Sequence, residues 1–158
     1  MTKTSAGLAA ALALATGALL AGASPAVAES AAERAVAARQ AGFKQIGAAF
    51  KGVNDELRAR KPDLAVVAAA AARLEGHATQ LPTWFPRGSG PESGAETGAR
   101  AAVWSDAAGF ADAAANLRTQ TQRLNVLARE GDLAALRKQA GQVAAACKTC
   151  HTAYREED

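Results

Sequence analysis

Apolar residues recur along this chain in alternating steps of three and four, and four stretches hold that rhythm long enough to predict helices. In the first, roughly residues 30 to 59, Val36, Phe43, Ile46, Phe50, Val53 and Leu57 share one face. The second follows Lys61-Pro62, with Asp63 expected in its first turn, where the helix dipole favours a carboxylate. Its seam is Leu64, Val67, Ala71, Leu74, Ala78 and Leu81. The third is predicted as one continuous helix from about Ala99 to Arg129, striped by Val103, Ala107, Phe110, Ala114, Leu117, Thr121 and Leu124. The fourth starts after Gly131-Asp132, with Asp132 as N-cap and Leu133, Leu136, Ala140, Val143, Cys147, Cys150 and Tyr154 on its stripe. No stretch reads as a strand.

Such spacing belongs to helices packed about 20° from one another. The short breaks at 60 to 62 and 130 to 131 make their flanking helices antiparallel neighbours. The predicted fold is therefore all-α, an antiparallel up-down-up-down four-helix bundle. Between the second and third helices runs Leu81 to Gly98, dense in Pro, Gly and Ser. A loop of that length is either functional or a solvated crossover, and the pattern favours neither.

The beginning of the chain has a different character. Lys3 precedes an apolar stretch from Leu8 to Leu20, and Ala26-Val27-Ala28 forms an A-x-A site before Glu29. These are the marks of a secretory signal peptide spanning 1–28, which leaves a single domain at 29–158 and places the mature protein in the periplasm. A membrane anchor would want about 20 consecutive apolar residues, and this run is broken by Thr16, Gly17 and Gly22. The whole chain carries 18 basic and 15 acidic residues, a formal charge of +3. Loss of Lys3 lowers it to +2. The surplus is scattered, so nothing predicts a nucleic-acid partner, and nothing after Ala28 is long enough to span a bilayer. Met1 is the sole methionine, so the mature chain is expected to have none. A core made largely of alanine buries little apolar area per residue, a shortfall that a large apolar cofactor would offset.

Cys147-Lys148-Thr149-Cys150-His151 is a C-x-x-C-H sequence. On a helix these three side chains project from nearly one face. Haem requires two thiols to form thioethers with its vinyl groups and an imidazole beneath the iron. One turn and a half of helix supplies both, which predicts one covalently attached haem c on Cys147 and Cys150, with His151 as iron ligand. A zinc site would need four ligands, and only His77 remains as a further neutral nitrogen donor. A thioredoxin-like redox pair would need a βαβ setting. A disulfide between adjacent turns closes too small a loop to gain much.

At these residues the chain resembles the cytochrome c′ family, the class II c-type cytochromes, over essentially its whole mature length. The matching features are Arg39-Gln40-Ala41, then Leu81-Pro82, Phe85-Pro86 and Gly88-Ser89-Gly90 in the loop, Val103-Trp104-Ser105-Asp106, and the haem motif near the C-terminus. The resemblance implies that Arg39 pairs with a haem propionate and that Phe43, four residues on, covers the distal face of the iron. Arg155 lies four residues after His151, which predicts the same helix face, and the resemblance implies a place for it on the proximal side, with Trp84, Phe85 and Trp104 as walls of the haem edge. It also implies a homodimer formed through the first two helices. Read from the residues alone, Phe43 and the other aromatics fit an ordinary core equally well. Arg39 and Arg155 fit solvated surface positions.

Without a methionine, a Met-ligated iron is excluded by composition, and His77 lies one residue off the second seam. The expected iron is thus five-coordinate, in a protein that takes up small diatomic gases, nitric oxide and also CO. An electron carrier docking with a periplasmic redox partner is the alternative, although no lysine cluster marks a docking patch. An enzyme such as a weak peroxidase would want a polar distal group to assist bond cleavage, and an apolar Phe43 argues against one.

Overall fold

The structure, a computed structural model, describes residues 1–2 and 29–157; the predicted signal peptide falls almost wholly outside the described residues. Four long helices run α1 (Ala31–Arg58), α2 (Leu64–Gln80), α4 (Ala107–Glu130) and α5 (Leu133–Tyr154), with a single turn α3 (Ala102–Ser105) ahead of α4. The chain is an antiparallel four-helix bundle, as the spacing predicts.

Each start is written into the sequence. Ser30 caps α1 through a capping box, its hydroxyl accepting from the Glu33 N–H at 3.1 Å while Glu33 accepts from the Ser30 N–H at 2.6 Å. Asp63 is the N-cap of α2 and not a first-turn residue: its carboxylate accepts from the N–H groups of Ala65 and Val66 at 2.9 and 3.3 Å. Asp132 caps α5 in the same way, at 2.9 and 3.0 Å from Ala134 and Ala135. Gly131 ends α4 at φ +78°, the left-handed conformation that a side chain would strain.

The third helix departs from expectation. It does not run unbroken from 99 to 129 but divides at Asp106, whose backbone leaves the helical region (φ −114°, ψ 57°). One Asp106 oxygen accepts from the Gly109 N–H at 3.2 Å, and the other accepts from the Tyr154 hydroxyl at 2.8 Å. A cap tied to α5 thus overrides a stripe that runs through it without interruption. Leu64, placed on the α2 seam by its spacing, is exposed at the mouth of that helix.

Packing is uneven around the bundle. α1 lies along α2, α2 along α4 and α4 along α5, whereas α1 and α5 meet over a much smaller stretch. Arg137 closes that seam at one end, donating from Nε and Nη2 to the Leu57 carbonyl at 3.2 and 3.1 Å. The other end of the seam carries Phe43 on α1 and the C-x-x-C-H sequence on α5.

Candidate functional site

Cys147 and Cys150 sit in the last two turns of α5 as free thiols, each half-buried against the core. Burial pushes both thiols above the ordinary cysteine value, with Cys147 adding to the effect on Cys150. They are therefore protonated, unpaired and packed among apolar groups. His151 follows at once and is solvent-accessible. Desolvation on its packed side lowers its pKa, and the Arg155 cation lowers it further. A neutral imidazole with a free lone pair is the form that ligates iron.

Facing α5 is a cluster of rings in edge contact. Phe43 lies 5.6 Å from Trp84 and 6.1 Å from Phe85 between centroids. Phe85 continues to Phe110 at 4.8 Å and to Trp104 at 6.1 Å, and Phe110 meets Tyr154 at 5.4 Å. The structure thus brings Phe43, Trp84, Phe85 and Trp104 together, and adds Phe110 and Tyr154, which periodicity had assigned only to helix stripes.

Arg39 is 3% exposed, which removes the surface reading. Its Nη1 donates to Ser89 Oγ at 3.0 Å, and its Nη2 donates to the Ser89 carbonyl at 2.5 Å and to Thr97 Oγ1 at 2.8 Å. The guanidinium lies over Phe85 at 5.1 Å and Trp104 at 5.6 Å. Burial lowers its pKa and the Glu92 charge opposes that shift. Among the described residues no carboxylate closes an ion pair on it. Ser89 and Thr97 are the site residues that the sequence reading missed as Arg39 partners, although Ser89 lies inside a loop motif already singled out. The loop is no loose crossover: two 3₁₀ turns, Leu81–Trp84 and Pro91–Ser93, punctuate it, and Ser89 is 1% exposed.

Arg155 does not share a helix face with His151. α5 ends at Tyr154, and Arg155 is the C-cap in extended conformation (φ −117°, ψ 139°), bridged antiparallel to Ala99. Its N–H still closes the last turn on the His151 carbonyl at 3.0 Å, so it stays beside the histidine through the cap. His77 is half-buried in the last turn of α2, off the buried stripe of Leu74 and Ala78.

The residues fit a haem. Two thiols spaced for its vinyl groups, an adjacent imidazole and a wall of rings meet a buried cation whose hydrogen bonds go to neutral oxygens of Ser89 and Thr97, with the Glu92 charge acting on it without a direct contact. A carboxylate-bearing apolar cofactor would complete that set. The family model for cytochrome c′ matches residues 34–155. The chain belongs to the cytochrome c′ family. Cytochrome c′ of Rubrivivax gelatinosus is 36% identical over 120 residues, 75% of this chain and 92% of that protein. The crystal structure of cytochrome c′ from the same organism superposes with a TM-score of 0.73 at 32% identity, covering 79% of this chain and 97% of the other. A ferrous variant of cytochrome c′ from Alcaligenes xylosoxidans with bound nitric oxide gives 0.73 at 30% identity, over 82% of this chain and all of that one. As a member of this family the chain is a c-type haem protein, and among its described residues no helix is long and apolar enough to cross a membrane.

Proposed function

We propose that this cytochrome c′ is a periplasmic gas-binding protein, with one haem c joined covalently to Cys147 and Cys150 and held at its iron by His151 alone. The observation that carries this reading is the contrast between the two sides of the site. On the α5 side stands a neutral imidazole beside two thiols. On the α1 side stands the apolar Phe43, in ring contact with Trp84 and Phe85. Bound haem supplies an iron with a coordination position for a diatomic ligand.

The chain's own residues do the rest. Cys147 and Cys150 would hold the haem through thioethers, each thiol adding across one vinyl group. Arg39 holds the loop through Ser89 and Thr97 and presents its remaining N–H groups to a propionate. Phe43 covers the distal face, so that a ligand must push a bulky ring with few rotamers aside. Arg155, held at the cap, stands next to the proximal histidine. Residues 1–28 serve as the export signal. Exposed Leu64, Val66 and Ala69 on the outer face of α2 support a homodimer built through α1 and α2.

The test is the absorption spectrum of the purified ferrous protein before and after CO and then nitric oxide. A high-spin spectrum that shifts with either gas is expected. A sharp low-spin spectrum indifferent to both would mean an internal sixth ligand, His77 by composition, and the protein would then be an electron carrier.

A further inference from the structure

Gly42 is the residue before Phe43, and no side chain fits there. A Cβ built on it would stand 2.5 Å from Cη2 of Trp84 and 2.6 Å from both Cζ2 and Cζ3. The six-membered ring of that indole therefore lies directly on the α1 backbone. Trp84 ends the 3₁₀ turn Leu81–Trp84, which Pro82 stiffens and the fully buried Leu81 anchors. From that seat its ring meets Phe43 nearly perpendicular, at 79°.

Phe43 has two ring neighbours, and they differ in freedom. Phe85 is held by Phe110, by Trp104 and by the Arg39 guanidinium above it. Among the described residues Trp84 has Phe43 as its one ring partner and otherwise rests on Gly42 and the edge of the core. A swing of the Phe43 ring away from the distal face therefore meets a fixed wall at Phe85 and a lighter one at Trp84. We propose that Trp84, seated on Gly42, is a positioning residue that sets how readily Phe43 yields, and hence how fast a diatomic ligand enters. This rests on the reading of Phe43 as the distal cover.

The experiment is a double-mutant cycle on the haem-loaded protein with Trp84→Leu, Phe43→Ala and the pair, reading ferrous CO association by rapid mixing and stability by urea unfolding. Trp84→Leu is expected to speed CO association roughly three- to tenfold, the equivalent of one aromatic contact. The same change in the Phe43→Ala background should leave the rate unaltered, and the two stability losses should fail to add. Trp84→Phe, which keeps a ring on Gly42, should retain most of the wild-type slowness. It also supplies a folded comparison should the leucine variant fold poorly. If Phe43→Ala accelerates CO but neither Trp84 variant does, this inference falls and the distal role of Phe43 stands. Equal acceleration by Trp84→Leu with and without Phe43 overturns it too, because Trp84 would then act independently. If Phe43→Ala leaves CO association unchanged, the distal reading itself fails.

Discussion

At the end of the bundle where α1 turns into α2 and α4 into α5, Val53, Val67, Leu124 and Leu136 are each 0% exposed. At the opposite end Phe43, Trp84, Phe85, Trp104, Cys147 and Cys150 are larger or more reactive, and every one is only half-buried. The first end is a finished core. Small aliphatic side chains interlock there, Arg137 ties α5 to α1, and nothing further is needed. The second end is a set of walls, with rings meeting edge to face and the two thiols left half-buried beside the core. Alanine-rich helices can close on themselves where Leu and Val fill the gaps. At the C-x-x-C-H end the sequence supplies rings and thiols instead.

Removal of the haem should break this contrast most severely. Replacing Cys147 and Cys150 by serine is expected to abolish covalent attachment, so that acidic organic solvent extracts all haem from the chain. Native-state hydrogen exchange should then show protection lost in the last turns of α5 and in the 81–98 loop but retained around Val53 and Leu136. Equal loss at both ends would show that the finished core depends on the cofactor after all.

Next in size is Leu136→Ala, a cavity at the finished end. It should cost about 3 kcal/mol in urea unfolding, in the range for buried leucines, with the ferrous spectrum unchanged. A spectral change would mean that the two ends are mechanically coupled along α5. Asp132→Ala, at the same end, removes two cap hydrogen bonds and should cost about 1 kcal/mol. A cost near zero there would mean that α5 is held by packing alone.

How much of this was legible beforehand differs between the ends in the same way. The finished end followed from periodicity and caps: Asp132 and Gly131 mark their turn by residue type, and Leu136 and Leu124 lie on period. At the haem end C-x-x-C-H gave the thiols and histidine, but their neighbours come from four separate elements. Arg39 shows why spacing misses such contacts. One turn before Phe43 it reads as a surface cation, yet Ser89 and Thr97, some fifty residues on, draw it inside. Asp106 misled for a related reason, since its tie to Tyr154 is long-range and the apolar stripe passes straight across it. Gly42 gave no signal, because the need for an absent side chain shows only once Trp84 is in place.

The smallest predicted effect lies at the haem end, in that same tie. Tyr154 is the sole tyrosine of the chain, so its ionisation can be read without ambiguity from tyrosinate absorbance, with a Tyr154→Phe variant subtracting the haem's own changes. Its hydroxyl donates to Asp106, and this hydrogen bond, reinforced by burial and by the carboxylate charge, pushes its pKa up to about 12 from the ordinary 10.0. The raised value favours the protonated phenol in the folded state. The pair's contribution to stability is therefore complete below pH 10 and is lost as pH climbs through about 12. Asp106→Ala removes both the acceptor and the charge, and should bring the midpoint down toward 10.0. A midpoint already near 10.0 in the unaltered protein would mean that the pair does not hold in solution. The break at Asp106 would then owe nothing to α5, and the haem end would be looser than its ring contacts suggest.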